Sequence, residues 1–493
     1  MITWGISGNS HDAAIAVFQD KQLVYAGHSE RYSRVKNDGD LDSTQIEYLK
    51  KKFGLPDRVV WYEKPWAKTF RQLEAGQGWR WGENNVKDYL RKFGIRAPIT
   101  YKWHHHSHAA AGYYTSGFDN ATVVVIDAIG EYQTLSIWRG QGSNLTPLWS
   151  QGYPDSVGLW YSAMTDRIGL KANEEEYILM GMSALGDPNR FSAEILDQFI
   201  GLHSTEESCS IIRLKHNLHR GCRWWRPELG IGDYFDVAAG TQAVYELLFH
   251  KILQTARQLN RSDNLVLMGG CALNCVANPI AYQYFKNVWI MPNPGDAGSA
   301  VGAVLADWKE HIQWPGPYLG TEIKHSEDSN SSIVDYLLEH KICGLARGRA
   351  EFGPRALGNR SLIADPRGDD VKDRLNKIKQ RQDFRPFAPA VLAEHASSIF
   401  KMPTSHTPYM QYAVQCLRPD LYPAIVHVDG TSRVQTVTQE DNPEFHALLT
   451  KWYERTGCPM LVNTSLNIKG EPIVNNELDA QRWQERYGIA IFN

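Results

Sequence analysis

A chain of 493 residues exceeds what one ordinary hydrophobic core organises, and at roughly 100 to 200 residues per domain it predicts more than one folded unit. Its 43% hydrophobic and 22% charged residues are those of a soluble globular protein, and no apolar run approaches the ~20 residues that a membrane-spanning helix needs. A formal net charge of -3 excludes a generally basic, nucleic-acid-coating surface without bearing on a local basic groove, and seven cysteines with no CxxC pair argue against a disulfide framework or a cysteine zinc site.

Met1 leads straight into the strand-like ITWGIS, without the basic stretch, apolar run and small-residue cleavage site of a secretory leader, so a cytoplasmic location is expected. A strand over 2–7, a polar turn over 8–12 and a second strand over 14–18 make the first unit. The same layout returns as strand 122–127, turn 128–131 and strand 135–139. In duplicated ATP-binding folds of the actin type, such tight turns aim backbone N–H groups at phosphates; a plain repeat of hairpins is the alternative.

Between the two units stands His104-His105-His106-Ser107-His108, followed by three alanines. His104 and His108 are four apart, so a helix projects both from one face, where two imidazoles can share a metal; a structural histidine cluster is the competing reading. Asp127 at its strand end and Asp296 in a later turn can add oxygen ligands, and two nitrogens with two oxygens suit Fe(II) or Zn(II) better than magnesium or calcium. No Glu stands at 105–107, so the HExxH metalloprotease motif is not made.

Further on, RLKHNLHRGCRWWR (213–226) interleaves Arg213, Lys215, Arg220, Arg223 and Arg226 with Trp224 and Trp225 and holds no acid. It reads either as a nucleic-acid contact or as a solvated basic loop over buried tryptophans. Val244, Leu248, Ile252 and Ala256 recur at helical spacing and predict a helix over 235–259. A strand over 264–268 follows, then Gly269-Gly270, where the backbone can approach a flat ligand, and Asn274. A strand over 288–291 ends in the turn that exposes Asp296, and a small-residue helix begins near Ser299.

Pro, Gly, Ser and Asp crowd residues 314–332, and the chain divides there into 1–320 and 321–493. The second part is rich in basic residues: Arg355 and Arg360 in a Gly-rich loop, then Lys377, Lys379, Arg381, Arg385 and Arg433, before Asn463-Thr464-Ser465-Leu466-Asn467. Guanidinium forks with hydroxyl and amide groups can cradle a polyphosphate.

Ten stretches in chain order, among them GISGNSHDAAIAVF, SERYSRVKND, HHHSHAAAGYY, MGGCALNCVAN, NPGDAGSAVGA, EFGPRALGNRSLIADPR and PMLVNTSLNIKGEPIV, resemble the nodulation-protein-U-type O-carbamoyltransferases, a family that decorates antibiotics and nodulation factors. The resemblance implies an α/β chain with a duplicated actin-like (ASKHA) ATP-binding domain followed by an α/β domain like threonylcarbamoyl-adenylate synthase. It implies ATP and carbamoyl phosphate as substrates, a carbamoyl adenylate as intermediate, and Fe(II), or zinc, held by His104, His108, Asp127 and Asp296. Nucleotide contacts are expected at Gly130, Glu131, Gly269, Gly270 and Asn274 in the first domain, and at Arg355, Arg360, Lys379, Arg433, Asn463 and Ser465 in the second. His11, Asp12 and His105 are the expected catalytic groups, one histidine taking the acceptor's proton. One departure is Glu176-Tyr177-Ile178, which puts Ile where the family often has lysine.

Activation makes chemical sense, because nitrogen and oxygen both donate into a carbamate carbon and AMP supplies the leaving group it lacks. The acceptor is a hydroxyl on a small natural product or, because SHAAAGYYTS and VIDAIGEYQT look like copies carried by bacterial viruses, a hydroxymethylated pyrimidine of DNA. A homodimer is compatible with the sequence. A tRNA threonylcarbamoyl-type transferase, a sugar kinase and a nucleotide-sensing ATPase are the competing functions.

Overall fold

The computed structural model describes residues 1–201, 211–324, 329–368 and 370–493. The apolar runs Ile2–Ser7 (β1) and Ala14–Gln19 (β2) are buried almost throughout and pair antiparallel from Ile2 against Gln19 to Ser7 against Ala14. Strands buried on both faces belong in a covered sheet. With Gln22–His28 (β3), Arg58–Trp61 (β4) and Ile99–Tyr101 (β5) they form a sheet of order β3-β2-β1-β4-β5, in which β1, β4 and β5 run parallel.

The layout recurs. Asn120–Ile126 (β6), Gln133–Gln141 (β7) and Asn144–Gly152 (β8) make an antiparallel meander. After a two-residue ladder of Ile200–Gly201 (β9) with Arg213–Leu214 (β10), Asn264–Met268 (β11) and Asn287–Trp289 (β12) add to β6 in parallel. The order β8-β7-β6-β11-β12 repeats that of the first sheet strand for strand, so the strand–turn–strand repeat is a true duplication and the fold is α/β with the paired sheets expected of an actin-like domain. The helix predicted over 235–259 is Tyr234–Leu259, with Val244, Leu248, Ile252 and Ala256 buried. The strand expected over 288–291 stops at Trp289, although Ile290 and Met291 remain buried.

Two helices of small residues lie against these sheets, one carrying His104 and His108 and the other following the turn that holds Asp296. A Cβ on Gly302 of the helix Ser299–Trp308 would lie 1.8 Å from the Ser107 carbonyl of the helix His104–Thr115, and one on Gly5 of β1 would lie 1.9 Å from the Ala300 carbonyl. Backbone contact this close requires glycine and fixes the histidine helix to within side-chain dimensions.

The chain divides into two compact units, Met1–Val24 with Gly39–Trp314, and Tyr25–Asp38 with Pro315–Asn493. The division at 320 drawn from the sequence leaves Tyr25–Asp38 in the first domain, but its side chains bond within the second unit: Arg31 to the Gly353 carbonyl, Arg34 to those of Pro472 and Ile473, and Tyr32 to the Thr321 hydroxyl. That unit is built on a six-stranded sheet whose strand Met460–Ser465 runs antiparallel to Arg360–Ala364 on one side and Ala388–Leu392 on the other. Its helix Pro443–Thr456 shows why helices start and stop where they do: Asn442 accepts from the Phe445 N–H, Pro443 occupies the first turn, and Gly457 closes it in the left-handed region. Among the described residues no helix is long and apolar enough to cross a membrane.

Candidate functional site

The first unit gathers His104, His108, Asp127 and Asp296, with one ligand atom of each within 4.8 Å of all the others. His104 Nε2 is 3.0 Å from Asp127 Oδ2 and 3.4 Å from Asp296 Oδ1; His108 Nε2 is 3.3 Å from Asp296 Oδ1. The two Nε2 atoms stand 3.0 Å apart. Two N–H groups aimed at each other at that distance would repel, whereas lone pairs directed at one point are what a divalent cation collects. Both histidine rings are buried, and each Nδ1 is buried without a partner. Burial alone drives both imidazoles toward the neutral form, but Asp296 and Asp127 reverse that and raise them above the ordinary histidine range. The same contacts overcome burial to hold both carboxylates ionised.

Several residues expected to touch nucleotide stand around this cluster. The Glu131 carboxylate accepts from the His104 N–H at 3.1 Å and from the Lys64 N–H at 2.7 Å, capping the histidine helix, so it is engaged by the fold. Gly130 lies under His104, where a Cβ would come within 3.1 Å of the ring. Gly269 has φ +89°, and a Cβ there would meet the Ile126 carbonyl at 2.2 Å, so its lack of a side chain serves strand packing rather than a flat ligand. The Gly270 N–H points at Asp127 Oδ1, 3.3 Å away. Asn274 exchanges amide hydrogen bonds with Gln242 and accepts from the Ala277 N–H, which engages its side chain inside the protein.

The expected catalytic histidines are each held by a neighbour. His11 places Nδ1 2.9 Å from Asp12 Oδ2 and donates from Nε2 to the Asn173 carbonyl at 3.1 Å. Burial lowers its affinity for protons, but the hydrogen bond and charge of Asp12 and the charge of Asp296 outweigh it and raise the pKa to about 9. An imidazolium at neutral pH is no general base, and Asp12 is the partner that holds it so. His105 is wholly buried, with Nδ1 2.8 Å from the Ser136 hydroxyl, and burial beside His104 pushes its pKa down to about 3. No acceptor arriving from solvent reaches that ring.

The second unit brings together a different set. Lys379, last residue of the helix Val371–Lys379, is buried and donates to the Ser465 carbonyl, to Ser465 Oγ at 3.1 Å and to Asn467 Oδ1 at 2.7 Å. Burial, then the charges of Arg381, Arg385 and Lys36, hold its ammonium well below the ordinary lysine range. Asn467 belongs to the stretch Asn463 to Asn467 read from the sequence; the strand ends at Ser465 and the Asn467 N–H turns back onto the Ser465 carbonyl at 3.0 Å, which brings both side chains to Lys379.

Arg360 and Asn463 are engaged by the fold to different degrees, the Asn463 Oδ1 being buried without a partner. The Arg360 guanidinium is wholly buried and donates to the carbonyls of Arg347, Gly348, Asn359, Asn475 and Thr321, leaving no donor for a phosphate. Asn463 donates to Gln435 at 2.7 Å and to the Ala356 carbonyl. Arg355 is half-buried in its loop, and Arg433 ends the strand Thr431–Arg433 with Nε buried and unbonded.

The basic stretch 213–226 is largely neutralised by acids from elsewhere. Arg223 forks onto Asp166 at 2.6 and 2.8 Å, Arg226 onto Glu194 at 2.7 and 2.8 Å, and Trp225 is buried. Trp224 is 52% exposed, and neither Arg213 nor Arg220 has a carboxylate partner among the described residues. Ile178, at the position often held by lysine, is buried.

Comparison with known proteins matches residues 80–305 to the carbamoyltransferase N-terminus and residues 334–492 to the carbamoyltransferase C-terminus. Nodulation protein NolNO of Sinorhizobium fredii is 31% identical over 95% of this chain and 76% of its own. The 3'-hydroxymethylcephem-O-carbamoyltransferase of Amycolatopsis lactamdurans is 28% identical over 97% of this chain and 96% of its own. Among solved structures, full-length HypF in its phosphate- and nucleotide-bound form is 14% identical and covers 62% of this chain and 46% of its own, with a TM-score of 0.34. With both family regions matched in order and relatives aligned across nearly all of its length, the chain belongs to the carbamoyltransferase family and is a carbamoyl-transferring enzyme.

Proposed function

We propose that the enzyme hydrolyses carbamoyl phosphate with one water to carbamate and phosphate, joins the carbamate to ATP as carbamoyl adenylate with release of pyrophosphate, and then carbamoylates a hydroxyl with release of AMP. The observation that carries this reading is that one chain holds two buried clusters of opposite character: a pair of carboxylates facing two imidazole nitrogens, fit for a cation, and a lysine among further cations, fit for an anion. Activation of carbamate needs the second and transfer from a phosphate ester is served by the first.

In the second unit Lys379, assisted by Ser465 and Asn467, is assigned to the phosphates of ATP, with Arg355 and Arg433 in reach of the same role. Its ammonium is poorly solvated and bonds only to uncharged oxygens among the described residues, so a polyanion gains more from it than from a solvated lysine. In the first unit His104, His108, Asp127 and Asp296 are assigned to Fe(II), with Zn(II) the alternative for the same donor set. When bound, the metal supplies Lewis-acid neutralisation of the adenylate phosphate. Glu131 and Gly130 hold His104 in place, Gly270 orients Asp127, and the burial of the four ligands keeps water from the labile ester.

The acceptor is proposed to be a hydroxymethyl group carried on a ring, as the name of the Amycolatopsis relative states for that protein. Our reading is 5-hydroxymethylcytosine of DNA; a small natural-product alcohol is the second. Incubation with ATP, labelled carbamoyl phosphate and each acceptor tests it. ATP-dependent label on an alcohol is expected, whereas label appearing equally without ATP would overturn the adenylate route.

A further inference from the structure

The helix Pro65–Glu74 is turned inside out. Its buried side carries Lys68, Thr69 and Arg71, while Trp66, Phe70 and Leu73 are 47–49% exposed. The aromatic surface continues at both ends: Trp66 lies 5.6 Å from Trp103 and 6.5 Å from Phe70, and Phe70 lies 5.6 Å from Trp79. Each ring stands at 74–79° to the next, so faces are offered in alternating directions. Trp103 and Trp79 are 43% and 59% exposed. An exposed apolar tract of this size marks a binding surface.

Two observations say what it binds. Arg71 is 8% exposed, its Nε is buried with no hydrogen-bond partner, and no carboxylate lies within 4.0 Å of it among the described residues. The two carboxylates nearest in influence, Glu63 and Glu131, are committed to Lys68 and to two backbone N–H groups. A guanidinium with Nε buried and unbonded and no carboxylate beside it is costly to hold, and supplying an anion is what a ligand would do. Arg220 adds a second cation at the same end, where its neighbour His219 bonds Gln77 at 3.0 Å. At the other end Trp103 directly precedes His104, and the Lys64 ammonium lies 6.0 Å from its ring.

We propose that this aromatic face, with Arg71 and Arg220, seats single-stranded DNA, bases stacking on Trp66, Phe70, Trp79 and Trp103 and phosphates meeting the guanidiniums, so that a base-borne hydroxyl is presented beside the His104 cluster. Aromatic platforms interleaved with cations bind single strands in this way. The proposal gives the DNA reading of the acceptor its binding surface and rests on that reading for its purpose, but binding is measured without ATP or carbamoyl phosphate and so stands or falls separately from transfer.

The test is fluorescence anisotropy of labelled oligothymidylate with the full chain over a salt series. Binding at low salt is expected to weaken about tenfold or more in the double variant Trp66→Ala/Phe70→Ala, at unchanged thermal stability, since both side chains are exposed. Arg220→Ala should lower the slope of log affinity against log salt by about one, and Arg71→Met should do the same if it folds. No binding at low salt, or equal binding by the variants, overturns the proposal. So does a dimer that dissociates in the aromatic variant of a protein without DNA affinity, which would assign the face to a second copy. DNA binding as described with no carbamoylation of DNA would leave the surface standing and remove the acceptor.

Discussion

Lys379 and Arg360 are both buried cations in the second unit, and they are solved in opposite ways. Arg360 turns its whole fork onto five backbone carbonyls, and although burial pulls its pKa down to about 10 it remains a charged strut tying strand to loop. Lys379 has three uncharged oxygens and further cations near it, and its charge is poorly supported. The two differ in what the charge meets: a full set of backbone carbonyls for Arg360, and three neutral oxygens beside further cations for Lys379. The His–Asp cluster of the first unit extends the contrast, since four ionisable groups there balance one another around a point that suits a cation.

Breaking this comparison at Lys379 should give the largest effect. Lys379→Ala is expected to cut pyrophosphate release from ATP and carbamoyl phosphate by about two orders of magnitude, near 3 kcal/mol of lost phosphate stabilisation, and a denaturant melt separates that loss from the stability lost with its three hydrogen bonds. A normal rate would return Lys379 to a structural role. Arg360→Met should behave in the reverse sense, lowering unfolding free energy by about 3 to 5 kcal/mol through five stranded carbonyls, while the KM for ATP of the protein that remains folded is unchanged; denaturant melts and kinetics read the two separately.

Smaller effects sharpen the first-unit side. Glu131→Gln leaves a neutral amide oxygen where a carboxylate caps the histidine helix and should cost about 1 kcal/mol in thermal unfolding, with weaker metal retention, because the His104 N–H is held less strongly. The smallest is a titration. The His11 ring should titrate by NMR near pH 9 rather than 6.5. Because its folded value is raised, the stability it contributes with Asp12 is full below about pH 6.5 and is lost as pH rises through about 9, so wild type and Asp12→Asn should converge in stability above that point. A midpoint near 6.5 would restore His11 as a candidate base.

The duplicated sheets were legible because alternating apolar runs with polar turns force strand hairpins, and the His104–His108 spacing was legible because helix geometry alone puts them on one face. Asp127 at a strand end and Asp296 in a turn were legible as candidate oxygen ligands, and the family resemblance joined them to the histidines, since no local pattern links positions so far apart. What stayed hidden is tertiary. Basic letters do not say whether carbonyls or solvent face them, so Arg360 and Lys379 read alike. The acids that neutralise Arg223 and Arg226 come from distant helices. Trp66, Phe70 and Leu73 have the spacing of a core-facing stripe yet point outward, and residues 25–38 leave one unit to bond within the other.

The division of labour between the two clusters is tested most directly by the double variant His104→Ala/His108→Ala of the full chain, assayed for metal content, pyrophosphate release and labelled carbamoyl transfer to an alcohol. The account predicts a folded protein without bound metal, with pyrophosphate release near that of the wild type and carbamoyl transfer lowered by about a thousandfold or more. Full metal occupancy, or loss of pyrophosphate release together with transfer, would contradict it.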